Sequence, residues 1–126
     1  DTKEMIANHF ADREEVELHG CDWRPCYCDS EIPTGAEAFL VTEYGGIAMA
    51  KDAGGGNWGY NGAEQDEAAF FKRFEAITQA FKHLPGFSGY CYTQLTDVFQ
   101  EVNGLLDMDR NPKVNLDEIR RINLQR

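Results

Sequence analysis

The chain has 126 residues, 42% of them hydrophobic and 12% aromatic, which is enough for one compact domain with a core and excludes a disordered chain. Its formal net charge of −10 argues against nucleic acid and anionic membranes as partners, because phosphate binding needs clustered Lys and Arg. No apolar stretch reaches the length that spans a bilayer, and no secretory signal opens the chain.

The N-terminal third of the chain carries weak structural signals. Thr2 can cap a short helix over residues 2–10, and the alternation of Val16 and Leu18 with charged residues predicts a short strand. Residues 20–36 contain Gly, Pro, Cys and Asp without periodicity, which predicts a long loop.

The four cysteines are too few for a dense disulfide scaffold, so we expect reduced thiols. Three of them follow His19, and because thiolate and imidazole groups are zinc ligands, a metal site at His19, Cys21, Cys26 and Cys28 stays open as an alternative. That spacing matches no standard zinc motif, and we expect no metal and no other cofactor. Cys91 lies in an apolar run and is predicted to be a buried, small apolar side chain.

Two apolar runs separated by an amphipathic helix predict a parallel pair of strands. The first run, residues 38–43, ends at Glu43 shortly before Gly45 and Gly46, and the second run covers residues 87–93. Strand, helix and strand in this order return the chain in the same direction, so both strands end at the same edge of the sheet. The sequence therefore predicts the α/β class, with its polar groups gathered at that edge.

The helix between the two strands is the strongest local signal. Residues 64–84 carry an apolar stripe at helical spacing, acidic residues in the first turn, and a Pro-Gly pair after the end. A second helix is predicted after Asn115, whose side chain can cap it, with Glu118 placed to complete a capping box. The members of the stripe are Phe70, Phe74, Ile77, Phe81 and Leu84.

Glu43 is the leading candidate for a functional residue. A carboxylate at a strand end is held rigidly at the edge of the sheet, and the two glycines after it allow a sharp turn of the backbone. Gln94, Asp97 and Glu101 follow the second strand and could meet Glu43 there. The alternatives are a solvated or ion-paired Glu43, and a helix that starts near Asp97 with Thr96 or Asp97 as its cap.

Four motifs follow one another along the chain: TEYGG at 42–46, GNWGY at 56–60, GYCYTQLTDVFQEVNGLL at 89–106 and DRNPK at 109–113. Together they resemble the C-terminal part of the catalytic domain of glycoside hydrolase family 2, the family of β-galactosidases, β-glucuronidases and β-mannosidases. The resemblance covers residues from about 38 to 124, and it is weak before residue 37.

This resemblance implies that the chain is the C-terminal fragment of a TIM (β/α)8 barrel, with residues 38–43 as the seventh strand and residues 87–93 as the eighth. Glu43 then occupies the position of the catalytic nucleophile, and Tyr92 the position where family members place an aromatic side chain under the sugar. The glycine-rich segment 45–62 is expected to lie over the substrate. The substrate-binding candidates are Trp58, Tyr60, Tyr92, Gln94 and Asp97.

We expect the chain to be an inactive piece of a longer protein. A retaining glycosidase needs a second carboxyl group about 5–5.5 Å from the nucleophile. The resemblance implies that this group belongs to an Asn-Glu pair on the fourth barrel strand, and the chain contains no such pair. A whole barrel takes roughly 250 residues, and the chain begins at Asp1 instead of Met.

These expectations define the partners and the compartment. The rest of the barrel in the parent chain is the expected partner, and open sheet edges would also allow association between copies of the chain. A carbohydrate is the expected substrate, with neither nucleic acid nor membrane as a partner. Reduced thiols and the lack of a secretory signal favour a cytoplasmic location.

Two other classes of function stay open. One is a stand-alone carbohydrate-binding or interaction module, in which Trp58, Tyr60 and Tyr92 stack on a ligand and Glu43 only forms hydrogen bonds. The other is a small metal-stabilised domain built on the histidine and cysteine cluster. We favour part of a retaining β-glycosidase that hydrolyses β-galactosides or related sugars, because separate motifs match in the right order and spacing.

Overall fold

The computed structural model describes residues 2–12, 15–16 and 38–125. The loop expected at 20–36 and the cysteine cluster lie outside these ranges, as does most of the strand expected around Val16. The two described residues of that strand, Glu15 and Val16, are helical, so the strand prediction is wrong there. The helices and strands, in chain order, are α1 (Thr2–His9), β1 (Leu40–Gly45), β2 (Ala48–Met49), β3 (Ala63–Glu64), α2 (Glu67–Lys82), β4 (Gly89–Thr93) and α3 (Leu116–Leu124).

The fold is mixed α/β, and its central feature is the parallel pair formed by β1 and β4. Leu40 pairs with Gly89 at one end and Gly45 with Thr93 at the other, with an irregular step between Val41 and Tyr44. The predicted strand–helix–strand order is therefore confirmed, and both strands end at the same edge. A second, shorter parallel pair, β2 with β3, lies beyond the end of β1.

Helix α2 covers one face of this sheet with the predicted apolar stripe. Its N-cap is Asp66, whose carboxylate accepts a hydrogen bond of 2.8 Å from the Ala69 amide. Phe70, Phe74 and Phe81 are buried along the helix, and each such side chain contributes about 1.5–3 kcal/mol through the hydrophobic effect. The stripe thus forms the core, as its periodicity predicts.

The other face of the sheet is uncovered in the part of the chain that the structure describes. Side chains alternate along β4, so Tyr90 and Tyr92 pack toward α2 while Cys91 points the other way and is exposed. The prediction of a buried Cys91 is therefore wrong, because only one side of the strand has a partner layer. Leu40 and Thr42 of β1 are exposed as well.

Helix α3 confirms one predicted cap and contradicts the capping box. The Asn115 side chain accepts a hydrogen bond of 2.9 Å from the Asp117 amide, as expected for an N-cap. Glu118 does not return to the Asn115 amide, because it pairs with Arg121 at 2.7 Å. The Asn115 amide instead donates to Glu67 Oε1 at 2.6 Å. This bond ties the start of α3 to the start of α2.

None of the described helices combines the length and the apolar character needed to cross a bilayer.

Helix α1 packs on α2 by placing Ile6 in the same apolar cluster as Phe81, and the ring of Phe10 meets the ring of Phe81 at 5.7 Å. This helix, predicted over residues 2–10, is confirmed.

Candidate functional site

A solvent-open cavity of about 320 Å³ lies at the edge where β1 and β4 end. It is lined by Glu43, Tyr60, Asn61 and Thr93 together with residues 44–46. Its volume is at the lower end of the range of small-molecule pockets. In parallel α/β folds, ligands bind at this edge of the sheet, so the cavity is the leading candidate for a functional site.

Glu43 supplies the carboxylate of this cavity. It lies near the end of β1 and is exposed. Within the described residues its carboxylate takes part in no ion pair, which agrees with the alternative of a solvated Glu43 as well as with a functional one. A rigidly placed carboxylate with a cavity before it can attack, deprotonate or hydrogen-bond a ligand. Its catalytic role stays a prediction.

The two glycines after Glu43 are required by the close approach of two tyrosine rings. Gly45 and Gly46 have positive φ angles of 96° and 59°, and a Cβ added to either would overlap the ring of Tyr92 or Tyr60, respectively. Hydrogen bonds of 2.8 Å run from the Gly46 amide to the Thr93 carbonyl and from the Tyr60 amide to the Gly46 carbonyl. These contacts build the cavity wall onto the end of the sheet.

We expect Gly46→Ala to displace Tyr60 from the cavity and to lower the free energy of unfolding by about 1–3 kcal/mol through overpacking. Gly55→Ala is the matched control, because Gly55 has almost the same φ of 58° but nothing within 4 Å of an added Cβ. Urea denaturation of both variants measures the difference. Equal losses would show that the backbone angle alone, and not the Tyr60 ring, sets the requirement for glycine.

Tyr60 places a phenol hydroxyl within electrostatic reach of Glu101 and Glu43. Its pKa is raised, first by local desolvation and then by the negative charges of Glu101 and Glu43. Like any phenol, the hydroxyl is protonated at neutral pH, and its hydrogen bond with Glu101 also contributes to the raised pKa. The ring of Trp58 meets that of Tyr60 edge-on at 5.5 Å, just outside the cavity lining.

Arg73 of α2 anchors the wall that carries Tyr60 and Asn61. Its guanidinium donates to the carbonyl oxygens of Tyr60 and Asn61, each at 3.5 Å, and pairs with Glu64 at 3.0 Å. Neither Asn61 nor Arg73 is among the site residues that the sequence predicts. The Asn61-Gly62 pair is a turn signal and could have indicated a cavity wall at this point.

Tyr92 lies behind the cavity and not in its lining. Its ring packs against Tyr44 and Phe74, between the sheet and α2. Its hydroxyl accepts a hydrogen bond of 3.3 Å from the Ile47 amide, and burial raises its pKa. The alternation of side chains along β4 explains this placement, since Thr93, one residue later, lines the cavity in its place.

The structure does not bring Asp97 to Glu43. The Asp97 carboxylate is only 9% exposed, lies 2.8 Å from Lys113 Nζ, and accepts a hydrogen bond of 2.8 Å from the Gly104 amide. No helix begins here either, because Thr96 forms a bridge with Leu106. These contacts give Asp97 a structural role in joining the chain after β4 to the segment before α3.

Gln94 and Glu101 also lie outside the cavity lining. The Gln94 amide nitrogen donates to the Glu101 carbonyl at 3.5 Å, and the Asn103 side chain donates to Glu101 Oε1 at 3.1 Å. Glu101 still affects the site, because its charge acts on Tyr60. Of the six site residues that we predicted, the structure therefore brings Glu43 and Tyr60 together and leaves Trp58 adjacent to them.

Within the described residues, no group of three His, Cys, Asp or Glu side chains could hold a metal ion. The metal alternative at His19 and Cys21 to Cys28 falls outside the described residues. Compared with protein-family models and with curated proteins, the chain matches none.

Proposed function

We propose that this chain is the C-terminal part of the (β/α)8 catalytic barrel of a retaining β-glycosidase like those of glycoside hydrolase family 2, with Glu43 as the nucleophile. One observation carries the proposal. The Glu43 carboxylate has no ion pair in the described part of the chain, lies at the outlet of a parallel strand and lines a cavity of about 320 Å³. Three of the four sequence motifs that resemble this family contribute residues to the lining of the same cavity.

The lining of the cavity suits a neutral sugar. Tyr60 and Thr93 provide hydroxyl groups and Asn61 an amide, which can hydrogen-bond sugar hydroxyls as donors and acceptors. None of the seven lining residues is a cation, so an anionic substrate would meet the charge of Glu43 without compensation. The substrates that we propose are β-galactosides or related β-glycosides.

The proposed reaction proceeds in two steps at the anomeric carbon. Glu43 attacks this carbon and forms a covalent glycosyl ester, while the bond to the leaving oxygen breaks and a second carboxylic acid protonates that oxygen. The same second group then deprotonates a water, which hydrolyses the ester with net retention. We propose that this acid lies outside this chain, about 5–5.5 Å from Glu43 in the assembled site.

The uncovered face of the sheet supports the proposal of a partial barrel. In a (β/α)8 barrel, helices cover the outer face of each strand and the inner face packs against side chains of the other strands. In this chain α2 covers one face of the β1–β4 pair, and the exposed Leu40, Thr42 and Cys91 lie on the other strand surfaces. The remaining strands of the barrel would cover those residues.

A chain with such open strand edges should associate with itself. We expect the isolated chain to form oligomers or aggregates at high concentration, because unpaired strand edges and an uncovered apolar face attract other strands. Static light scattering over a concentration series measures the mass. A monodisperse monomer throughout the series would contradict this prediction. Measurable glycosidase turnover by the isolated chain would contradict the separate expectation that the fragment is inactive.

Trapping of the covalent intermediate tests the proposed function directly. A 2-deoxy-2-fluoro β-glycosyl fluoride slows both steps but accumulates the glycosyl ester, since its leaving group departs readily. In the protein that contains the complete barrel, mass spectrometry of a proteolytic digest should find the added sugar on the peptide with Glu43. A label on another carboxylate would overturn the assignment. So would the absence of any label in a protein that hydrolyses the corresponding unfluorinated substrate.

A carbohydrate-binding module without hydrolysis is the second candidate. The exposed rings of Trp58 and Tyr60 at the cavity favour it. Glu43 is also the one carboxylate among the described lining residues, whereas hydrolysis needs two carboxyl groups. Such a module would bind the same sugars with no label on Glu43 and no release of the leaving group. The trapping experiment therefore distinguishes the two.

A further inference from the structure

The chain contains two Asn-Gly pairs, and the structure places them in opposite surroundings. Asn61 of the first pair lines the cavity, and Asn103-Gly104 lies in the segment between β4 and α3. Asparagine followed by glycine is the dipeptide most prone to lose its side-chain amide, because glycine has no Cβ to hinder ring closure between the two residues. The two pairs can therefore be compared for their reactivity in the folded chain.

Contacts on all sides protect the pair Asn103-Gly104. Asn103 is fully buried, and its side-chain nitrogen donates to Glu101 Oε1 at 3.1 Å. The Gly104 amide, which would have to attack the Asn103 side chain, donates to Asp97 Oδ1 at 2.8 Å. A Cβ added to Gly104 would overlap the backbone around it, so the chain has no room to rotate here. Asn103 can therefore react only after this part of the chain has opened.

The pair Asn61-Gly62 lacks this protection in the described part of the chain. Both residues are exposed, and nothing lies within 4 Å of a Cβ added to Gly62. The Gly62 amide donates no hydrogen bond to another backbone group of the described residues. The φ angles of 58° and 85° place both residues in the left-handed region, as in a tight Asn-Gly turn. The exposed glycine leaves the turn free to rotate at low steric cost.

Arg73 lies at the peptide group that joins Asn61 to Gly62. Its guanidinium donates to the Asn61 carbonyl at 3.5 Å, and this carbonyl belongs to the same peptide group as the Gly62 amide. Loss of the amide proton places negative charge on the carbonyl oxygen, and a nearby cation stabilises that charge. Arg73 thus counteracts the negative charges of Glu43 and Glu64, which would otherwise disfavour an anion here.

From the contrast between the two pairs we infer that Asn61 is a site of spontaneous modification, where deamidation to aspartate and isoaspartate gives the cavity of Glu43 a second carboxylate. Hydroxide removes the Gly62 amide proton, and the nitrogen attacks Asn61 Cγ. The Cγ–Nδ2 bond then breaks, and the nitrogen leaves as ammonia with a proton from water. Water opens the resulting succinimide ring at either carbonyl, which yields aspartate or isoaspartate. The only co-reactant consumed is water.

The modification should reduce turnover, and this part of the inference rests on the proposed function. The Asn61 amide can donate a hydrogen bond to a sugar hydroxyl, whereas a carboxylate only accepts. Isoaspartate also lengthens the main chain by one carbon in the wall that carries Tyr60. We expect Asn61→Asp, which mimics one product, to lower kcat/KM by about fivefold to tenfold through the lost hydrogen bond.

Mass spectrometry tests the modification without any assay of activity. The full-length protein is aged in heavy-oxygen water at mildly alkaline and at mildly acidic pH, and digested peptides are sequenced for uptake of the label. We expect Asn61 to convert at least about tenfold faster than Asn103, because Asn103 needs local unfolding. Conversion should be faster at alkaline pH, since hydroxide removes the amide proton. Equal rates at the two asparagines, or no conversion at Asn61, would overturn the inference.

Two glycine variants test the attacking nitrogen. Gly62→Ala should slow the conversion of Asn61 severalfold, because a Cβ next to the nitrogen hinders ring closure. Gly55→Ala is the matched control, since Gly55 also combines a positive φ with open space around an added Cβ but does not follow an asparagine. It should leave the rate at Asn61 unchanged. An unchanged rate in Gly62→Ala would exclude attack by the Gly62 nitrogen.

Ageing of Asn61→Gln connects the modification to turnover. Ring closure through the longer side chain is slow, so kcat/KM of this variant should stay constant at its starting value. The kcat/KM of the unmodified protein should fall in step with conversion, toward the value of Asn61→Asp. Conversion without this fall, or an equal fall in Asn61→Gln, would reject the effect on turnover.

The modification and the proposed function can fail separately. Failure of fluorosugar labelling at Glu43 would overturn the proposed function together with the effect on turnover, while the mass measurement would still decide whether Asn61 is modified. Labelling of Glu43 in a protein whose Asn61 never converts would overturn the modification alone.

Discussion

Hydrolysis is expected to fall by roughly a thousandfold or more when Glu43 is replaced by Gln in the protein that carries the complete barrel. Gln has nearly the same size as Glu, so the cavity keeps its shape, but the neutral amide cannot form the glycosyl ester. Steady-state kinetics with a chromogenic β-galactoside measures the loss as kcat/KM. A variant that keeps more than a tenth of the wild-type activity would exclude Glu43 as the nucleophile.

Two controls separate lost chemistry from lost structure. Glu75→Gln makes the same charge change on α2, where Glu75 pairs with the half-exposed Arg121 at 3.3 Å, and it should leave kcat/KM nearly unchanged. Glu43→Ala opens space for an external nucleophile, so azide should restore turnover of an activated substrate and yield a glycosyl azide of inverted configuration. Absence of this rescue, in a variant shown to be folded, would count against a nucleophilic role.

The second large effect concerns stability and involves Lys113. Its ammonium group is 7% exposed and lies 2.8 Å from both Asp97 oxygens, 3.0 Å from the Val102 carbonyl and 3.1 Å from Asp52 Oδ2. We expect Lys113→Met to lower the free energy of unfolding by about 3–5 kcal/mol, because the change leaves the Asp97 carboxylate buried without a countercharge. Urea denaturation monitored by circular dichroism measures this loss.

An exposed ion pair provides the comparison. Arg121→Ala breaks the 2.7 Å contact with Glu118, but the Arg121 side chain is 50% exposed, so the expected loss is about 0–1 kcal/mol. Asp97→Asn should resemble Lys113→Met in direction, with reduced stability and little change of kcat in the protein that remains folded. Equal losses for Lys113→Met and Arg121→Ala would show that burial does not control the strength of the Lys113 pair.

The contrast between Glu43 and Asp97 shows how far sequence patterns reach at this site. Both are carboxylates near the end of a strand, and the local sequence makes both of them candidates for the same edge. Lys113, sixteen residues beyond Asp97, binds one of them and leaves the other unpaired in the described part of the chain. No local pattern identifies that partner, because the ion pair forms only when the segments after β4 have folded together.

The same limit applies to the aromatic candidates. Tyr92 and Tyr60 both follow from motifs, yet the structure puts Tyr92 against Phe74 in the core and Tyr60 in the cavity. Strand alternation decides the first placement, and the close contact of Tyr60 with Gly46 decides the second. The family resemblance predicted aromatic side chains near Glu43, but it did not show which of them line the cavity.

The amino-acid sequence by itself determined the helices and the parallel arrangement of the strands. Apolar spacing defined α2, the caps Asp66 and Asn115 set where α2 and α3 begin, and the order of strand, helix and strand required β1 and β4 to run in the same direction. Only the tertiary structure decided which side chains face the cavity and which carboxylate is neutralised. Periodicity, capping and chain connectivity act between near neighbours in sequence, whereas these choices depend on contacts between segments that meet only in the folded chain.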